Sequence, residues 1–193
     1  MRISGVKIVA AAVLLAGFGL SGCANNQHAS SAPPHPATIT PVNPQAVSSE
    51  TGNKKACTAD DVMVQGSFGQ RPKVTIPRNC QPPKQLLIKD LKVGAGPAVR
   101  SGDTATVNYQ LVAWSTGNVV DSSFKSGQPF PVRNVGHAQV IQGWNTGLIG
   151  AKQGGRRLLV VPPKEGYGSQ AKGPLKPNET LVFVIDIVKV THG

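Results

Sequence analysis

The chain has 193 residues, with 20 Lys and Arg against 9 Asp and Glu and a formal net charge of +11. That length holds one domain plus extra segments, not two full domains. The cations are scattered and lack the clustering beside aromatic platforms that nucleic-acid surfaces use, so nucleic acid is not an expected partner.

The chain opens as an export signal. Arg2 and Lys7 are followed by an apolar run from Ile8 to Leu20, too short to span a bilayer and typical of a signal peptide. The run ends in Leu20-Ser21-Gly22-Cys23, which resembles the lipobox of bacterial lipoproteins, where the cysteine is diacylated after cleavage just before it. Residues 1–22 are therefore expected to be removed and Cys23 to be the lipidation site. More than one acyl chain is needed for stable anchoring, and a lipobox cysteine supplies it. The expected location is extracytoplasmic, with the protein lipid-anchored to the cell membrane. There a basic surface would lie close to anionic lipid.

Residues 23–56 read as a flexible tether. They are rich in Ala, Ser, Thr, Asn and Pro and carry too few large apolar residues to fold. His28 and His35 fall here without metal-ligand spacing, and no metal is expected.

Residues 57–84 read as a small extension. Val62-Met63-Val64 and Lys73-Val74-Thr75-Ile76 have strand character, with Gly66, Gly69 and Pro72 between them as turn signals. With Cys23 lipidated, Cys57 and Cys80 remain, and two cysteines in an exported chain suggest a disulfide. The expectation is a hairpin clasped by Cys57–Cys80 and packed on the main domain. A bridge over that span is worth roughly 3–4 kcal/mol in the chain-entropy picture. The extension supplies none of the candidate site residues, so it is expected to be dispensable for activity.

Residues 85–193 form the expected main domain. Ala105, Val107, Tyr109, Leu111 and Ala113 alternate with Thr104, Thr106, Asn108 and Gln110, the period of a strand with one buried face. Ser115-Thr116-Gly117-Asn118 is a turn, and Val119-Val120 starts a return strand. Residues 129–134 and 156–161 are further strands. Leu181 to Val190 is apolar on both faces except at Asp186 and Lys189, which marks a central strand. One helix is expected near 141–151, with Ile141, Trp144, Leu148 and Ala151 on one stripe. Gly143, Gly147 and Gly150 lower its propensity, so packing must hold it. One short helix on an antiparallel sheet is an α+β fold.

Several separated motifs then fall in one order: Tyr109, Val120-Asp121-Ser122-Ser123, Phe130, Val140-Ile141-Gln142-Gly143-Trp144, Glu165-Gly166-Tyr167-Gly168, and Thr180-Leu181-Val182-Phe183. In this pattern residues 85–193 resemble the FKBP-type peptidyl-prolyl cis–trans isomerases, the macrolide-binding immunophilins. The resemblance implies an antiparallel sheet wrapped around one short helix, no cofactor, and an apolar pocket for proline. It makes Trp144 the pocket floor and Tyr109, Phe130, Val140, Ile141 and Phe183 its walls. Tyr167 becomes the hydroxyl that holds a ligand carbonyl, Asp121 the carboxylate at the edge, and the Ile141 N–H a second donor. It places Val120 at the pocket edge, where the family often has an aromatic residue, and Leu175 on a loop overhanging the pocket. The implied partners are proline-containing polypeptides and macrolide inhibitors of the rapamycin type. A monomer is expected.

The expected function is therefore a prolyl isomerase assisting the folding of exported proteins at the membrane surface. The alternative is a non-catalytic module that holds proline-containing segments as a chaperone or adhesin. A hydrolase lacks a Gly-x-Ser-x-Gly elbow, and His137 and His192 have no evident triad partners.

Overall fold

The computed structural model describes residues 54–193. The signal segment, Cys23, His28, His35 and most of the tether lie outside the described residues. The elements follow in the order β1 (Met63–Gln65), β2 (Lys73–Thr75), β3 (Leu87–Lys92), β4 (Thr104–Ala113), β5 (Val119–Ser122), β6 (Phe130–Val132), α1 (Gln142–Gly147), β7 (Arg156–Val161) and β8 (Leu181–Thr191). Strands β3, β7, β8, β4 and β5 pair in that order, and β6 also pairs with β4; every pairing is antiparallel. This is the expected α+β arrangement, and β8 is central between β7 and β4.

Both faces of this sheet are covered, which explains why its middle strands are apolar on both sides. On the front face, Val107, Leu111, Leu159, Val161, Leu181, Phe183 and Ile185 form the main core with Trp144 and Leu148 from the helix region. On the back face, Val112, Trp114, Leu158, Val160, Val182 and Val184 form a second core with Cys57, Val62 and Ile76. The one-faced reading of β4 therefore holds only for its first half. Gln110 and Val112 are buried because the N-terminal extension lies over them.

The extension is the expected hairpin. β1 and β2 pair antiparallel, with Met63 opposite Thr75 and Gln65 opposite Lys73. Cys57 and Cys80 are joined by a disulfide. It closes the base of the extension, where Ala56 also bridges Gln81, and does not tie the extension to the sheet. That attachment is made by packing and by buried polar side chains. Arg156 on β7 pairs with Asp186 on β8 at 2.5 Å, the two being 2% and 0% exposed. The same guanidinium donates to the carbonyls of Gly66 (2.7 Å) and Gln70 (2.6 Å), and Asp186 accepts the Gly69 N–H at 2.7 Å. Gln110 donates to the Pro72 carbonyl at 2.8 Å and accepts from Arg71 at 3.0 Å. Arg156 and Arg157, the adjacent basic pair of this region, are thus not surface charge at all. A buried charge must be paired and hydrogen-bonded, and the extension's turn supplies the acceptors.

The helix is shorter than its stripe predicted. It ends at Gly147, and the chain turns at Gly150, whose φ is +79°. Leu148 and Ala151 are still buried as expected, but from the turn that follows. Gly143 and Gly147 have a positive reason to be there. A Cβ at Gly143 would sit 2.5 Å from Val161 Cγ1, and one at Gly147 would sit 2.7 Å from Leu159 Cδ1. The glycines let the helix lie directly on β7. Arg157 completes the docking: it forks onto Asp90 (2.7 and 3.0 Å) and donates to the carbonyls of Gly147 and Ile149, both at 2.9 Å. These are carbonyls that a helix end leaves unsatisfied.

Candidate active site

The edge of β4 is where the pocket is made. β6 pairs with its first half, with Val107 opposite Phe130, and β5 with its second half, with Leu111 opposite Asp121. Between them the neighbouring strand leaves β4 through a 3-10 turn at Ser123–Lys125. The break would strand the Tyr109 N–H without a ladder partner. Ser123 Oγ accepts it instead at 2.9 Å, meeting the demand that backbone donors be paired. Tyr109 is thereby fixed at the gap, with Asp121 on one side and Phe130 on the other.

The pocket has a volume of about 190 Å³ and is lined by Tyr109, Leu111, Asp121, Phe130, Gln139, Val140, Ile141, Trp144, Tyr167 and Phe183. Four aromatic rings meet edge to face around it. Trp144 stands 5.2 Å from Tyr109 and 5.3 Å from Phe183 between centroids, and Phe130 lies 6.1 Å from Tyr109 and 6.3 Å from Trp144. Such contacts each add to the area buried and hold the rings in fixed orientation. The Trp144 indole N–H, buried beneath, has no partner among the described residues.

The polar groups at the rim are few and mostly committed. The Tyr109 hydroxyl donates to Asp121 Oδ2 at 2.5 Å, and Asp121 Oδ1 accepts the Ser122 N–H at 2.7 Å. Burial, and then the hydrogen bond to Asp121, hold the Tyr109 phenol protonated well above its ordinary range. Ile141 is the residue at which the helix begins, and its own N–H has no acceptor among the described residues. Tyr167 stands half-open at the mouth, with the Lys172 ammonium 6.0 Å from its ring centre.

The structure thus brings together Tyr109, Asp121, Phe130, Val140, Ile141, Trp144, Tyr167 and Phe183, as the sequence pattern implied. Two of the named residues are elsewhere. Val120 does not line the pocket; it is partly buried against the main core, at the bulge where β5 shifts register between Val119 and Asp121. Leu175 does not line the pocket; it is 4% exposed and anchors its loop in the main core. Gln139 and Leu111 line the pocket without having been named for it. Asn145 was also missed. It is buried on the helix, accepts the N–H groups of Gly136 (3.1 Å) and Ala138 (2.9 Å), and donates to the Ala138 carbonyl (3.0 Å). It holds the loop that delivers Val140 and Ile141. An Asn inside a helical stripe was the available signal. His192 does have a carboxylate neighbour, Asp103 at 3.0 Å. That Asp103 also accepts the Arg100 N–H, which holds its carboxyl below the usual range.

Residues 96–188 match the family described as FKBP-type peptidyl-prolyl cis-trans isomerase. An FK506-binding protein of Streptomyces anulatus is 42% identical over 123 residues, which cover 63% of this chain and 98% of the relative. The chain belongs to the FKBP-type peptidyl-prolyl cis–trans isomerases. An FK506-binding protein of Neisseria meningitidis serogroup A is 39% identical over 107 residues, covering 54% of this FKBP and 95% of the relative. Among solved structures, FkpA from Escherichia coli is similar with a TM-score of 0.50 and 34% identity, over 55% of this chain and 48% of that one. The pocket built by Tyr109, Phe130, Trp144 and Phe183 lies within the matched residues.

Proposed function

We propose that this FKBP-type isomerase works outside the cytoplasm, anchored to the membrane through acylated Cys23, on X–Pro bonds of exported polypeptides. The observation that carries the site assignment is the aromatic pocket whose one carboxylate, Asp121, is already occupied by Tyr109 and the Ser122 N–H. A peptide bond resists rotation by roughly 18–20 kcal/mol because twisting breaks resonance. The twisted amide has a less polarised carbonyl and a more basic nitrogen. An apolar pocket penalises the planar, polar ground state more than the twisted state, and each ~1.4 kcal/mol of that difference gives tenfold in rate. Trp144 is the floor for the proline ring. The Tyr167 hydroxyl and the Ile141 N–H are the donors for substrate carbonyls. No nucleophile or metal enters the scheme. Macrolides of the FK506 and rapamycin type would compete for the same pocket.

Three features support the exported setting. Arg2, Lys7 and the apolar run form a signal-like start. Leu20-Ser21-Gly22-Cys23 has lipobox character. The Cys57–Cys80 disulfide suits an oxidising compartment. Residues 23–56 act as the tether between the lipid and the catalytic domain, which works as a monomer.

Turnover of a Leu–Pro peptide by the purified protein tests the site. The expected result is rate enhancement that falls with Phe183→Ala and is blocked by rapamycin; no enhancement in the folded protein overturns the assignment. Fractionation of cells making Cys23→Ala tests the anchor. The expected result is loss of the protein from membranes or failure of processing, and unchanged membrane recovery overturns it.

A further inference from the structure

The proline pocket continues into a hollow on each side, and each hollow carries one cation. On one side, Phe130, Gln139 and Val140 are shared with a hollow of about 250 Å³ that includes Arg133. On the other, Tyr109, Asp121 and Phe130 are shared with a hollow of about 450 Å³ that includes Ser122, Lys125, Ser126 and Gln128. Arg133 and Lys125 are exposed, and neither forms an ion pair among the described residues. The first hollow has no carboxylate in its lining. In the second, the one carboxylate, Asp121, keeps its charge but is held by hydrogen bonds from the Tyr109 hydroxyl and the Ser122 N–H. The buried Ser122 hydroxyl there has no partner among the described residues. The first hollow therefore offers a cation with no carboxylate in its lining, and the second a cation that no carboxylate pairs, with the hydrogen-bonded Asp121 at the edge it shares with the proline pocket.

A polypeptide seated with its proline in the central pocket must leave it in both directions. An extended chain advances about 3.3 Å per residue, so residues within one to three positions of the X–Pro bond fall over the hollows. We infer that Lys125 and Arg133 are specificity-determining residues that favour polypeptides with carboxylate side chains on both sides of the X–Pro bond. This rests on the pocket being the site of turnover. Charge at such range acts through the on-rate and through weak contacts, and it is screened within about 8–10 Å at ordinary salt. The effect per charge is that of an exposed ion pair, about two- to fivefold.

The test uses three Leu–Pro peptides that differ only in the residues two before and two after that bond: Glu at both, Gln at both, or Lys at both. The readout is the ratio of kcat/KM for the Glu peptide to that for the Lys peptide, at low and high salt, in the wild type, Lys125→Glu, Arg133→Glu and the double variant, each checked for folding by circular dichroism. In the wild type at low salt the Glu peptide should exceed the Gln peptide by about four- to twenty-five-fold and the Lys peptide by more, and the Glu-to-Lys ratio should shrink as salt rises, fall in each single variant and invert in the double variant. A wild-type ratio near one, or a ratio that the substitutions do not move, overturns the inference. The Gln peptide separates this from the pocket assignment: if the wild type fails to turn it over, the assignment falls, and binding of the same peptides, read by tryptophan fluorescence, then decides the charge preference alone.

Discussion

The Tyr109 hydroxyl donates to Asp121 Oδ2 at 2.5 Å across the gap between β5 and β6. The bond places a protonated phenol and a hydrogen-bonded carboxylate at the pocket edge. Burial first, then the bond to Asp121, raise the phenol's pKa. A proton held more tightly when folded contributes stability that is complete below the free phenol's ionisation near pH 10 and is lost as pH rises through the folded value. The chain has two tyrosines, so Tyr167→Phe leaves Tyr109 as the only phenol. Ultraviolet titration of that variant should show ionisation well above pH 10. Adding Asp121→Ala should bring it down, since the bond is lost while the burial remains. In otherwise unchanged protein, Asp121→Ala should cut kcat/KM by about tenfold, or ~1.4 kcal/mol, without unfolding the domain.

Asp186 lies where the sheet and the extension meet. Its partner Arg156 also binds two carbonyls of the 66–70 turn. Removing one member of a buried pair leaves the other charged and uncompensated, at a cost of about 3–5 kcal/mol. Asp186→Asn should therefore lower the free energy of unfolding by that amount. Deletion of residues 54–84 should also destabilise the domain, by uncovering the back-face patch of Val112, Trp114, Leu158, Val160, Val182 and Val184. Denaturant titration of both proteins checks this; a deletion as stable as the full chain would show that the extension is only appended.

The sequence pattern was legible where residues repeat in register with their element. The alternation of β4, the two-faced apolarity of β8 and the hairpin at 63–75 are all present in the fold. So are the eight aromatic, aliphatic and acidic residues that meet in the pocket. What could not be read was set by contacts distant in sequence. The pairing of Arg156 with Asp186 depends on β7 and β8 being neighbours. The burial of Gln110 depends on Pro72 arriving from an extension with no local signature of where it docks. Val120 and Leu175 were placed at the pocket by analogy of position. A bulge in the strand and a loop's own anchoring decide which way such residues face.

Gly143 shows that low helix propensity here is selected by proximity to the sheet. Alanine would improve intrinsic helix stability by about 1 kcal/mol. Its Cβ would, however, meet Val161 Cγ1 at 2.5 Å, and a β-branched side chain on a buried strand has little freedom to move. Overpacking of this kind costs about 1–3 kcal/mol. Gly143→Ala should be net destabilising, by about 1–2 kcal/mol in denaturant unfolding. Adding Val161→Ala should recover part of the loss, because it removes both Cγ atoms that the new methyl strikes. A neutral or stabilising Gly143→Ala would mean that the helix can lift from β7.

Asn145 sits one residue past the pocket floor and does not line the pocket. Its side chain makes three hydrogen bonds to the backbone of Gly136 and Ala138. Those bonds fix the loop that ends in Val140 and Ile141, the wall and the free N–H of the site. Asn145→Ala would leave two N–H groups and one carbonyl without partners. An unsatisfied buried group costs about 1–3 kcal/mol, unless the loop moves to let water in. Loop movement should misplace Val140 and Ile141, so kcat/KM should fall by about tenfold or more, against a loss of stability near 2 kcal/mol. Asn145→Asp keeps the acceptor for both N–H groups and loses only the donated bond to Ala138. It should therefore recover most of the activity that Asn145→Ala loses. Peptide turnover and denaturant unfolding on the two variants check this together: equal activity in Asn145→Ala and wild type would show that the loop holds its shape without the side chain.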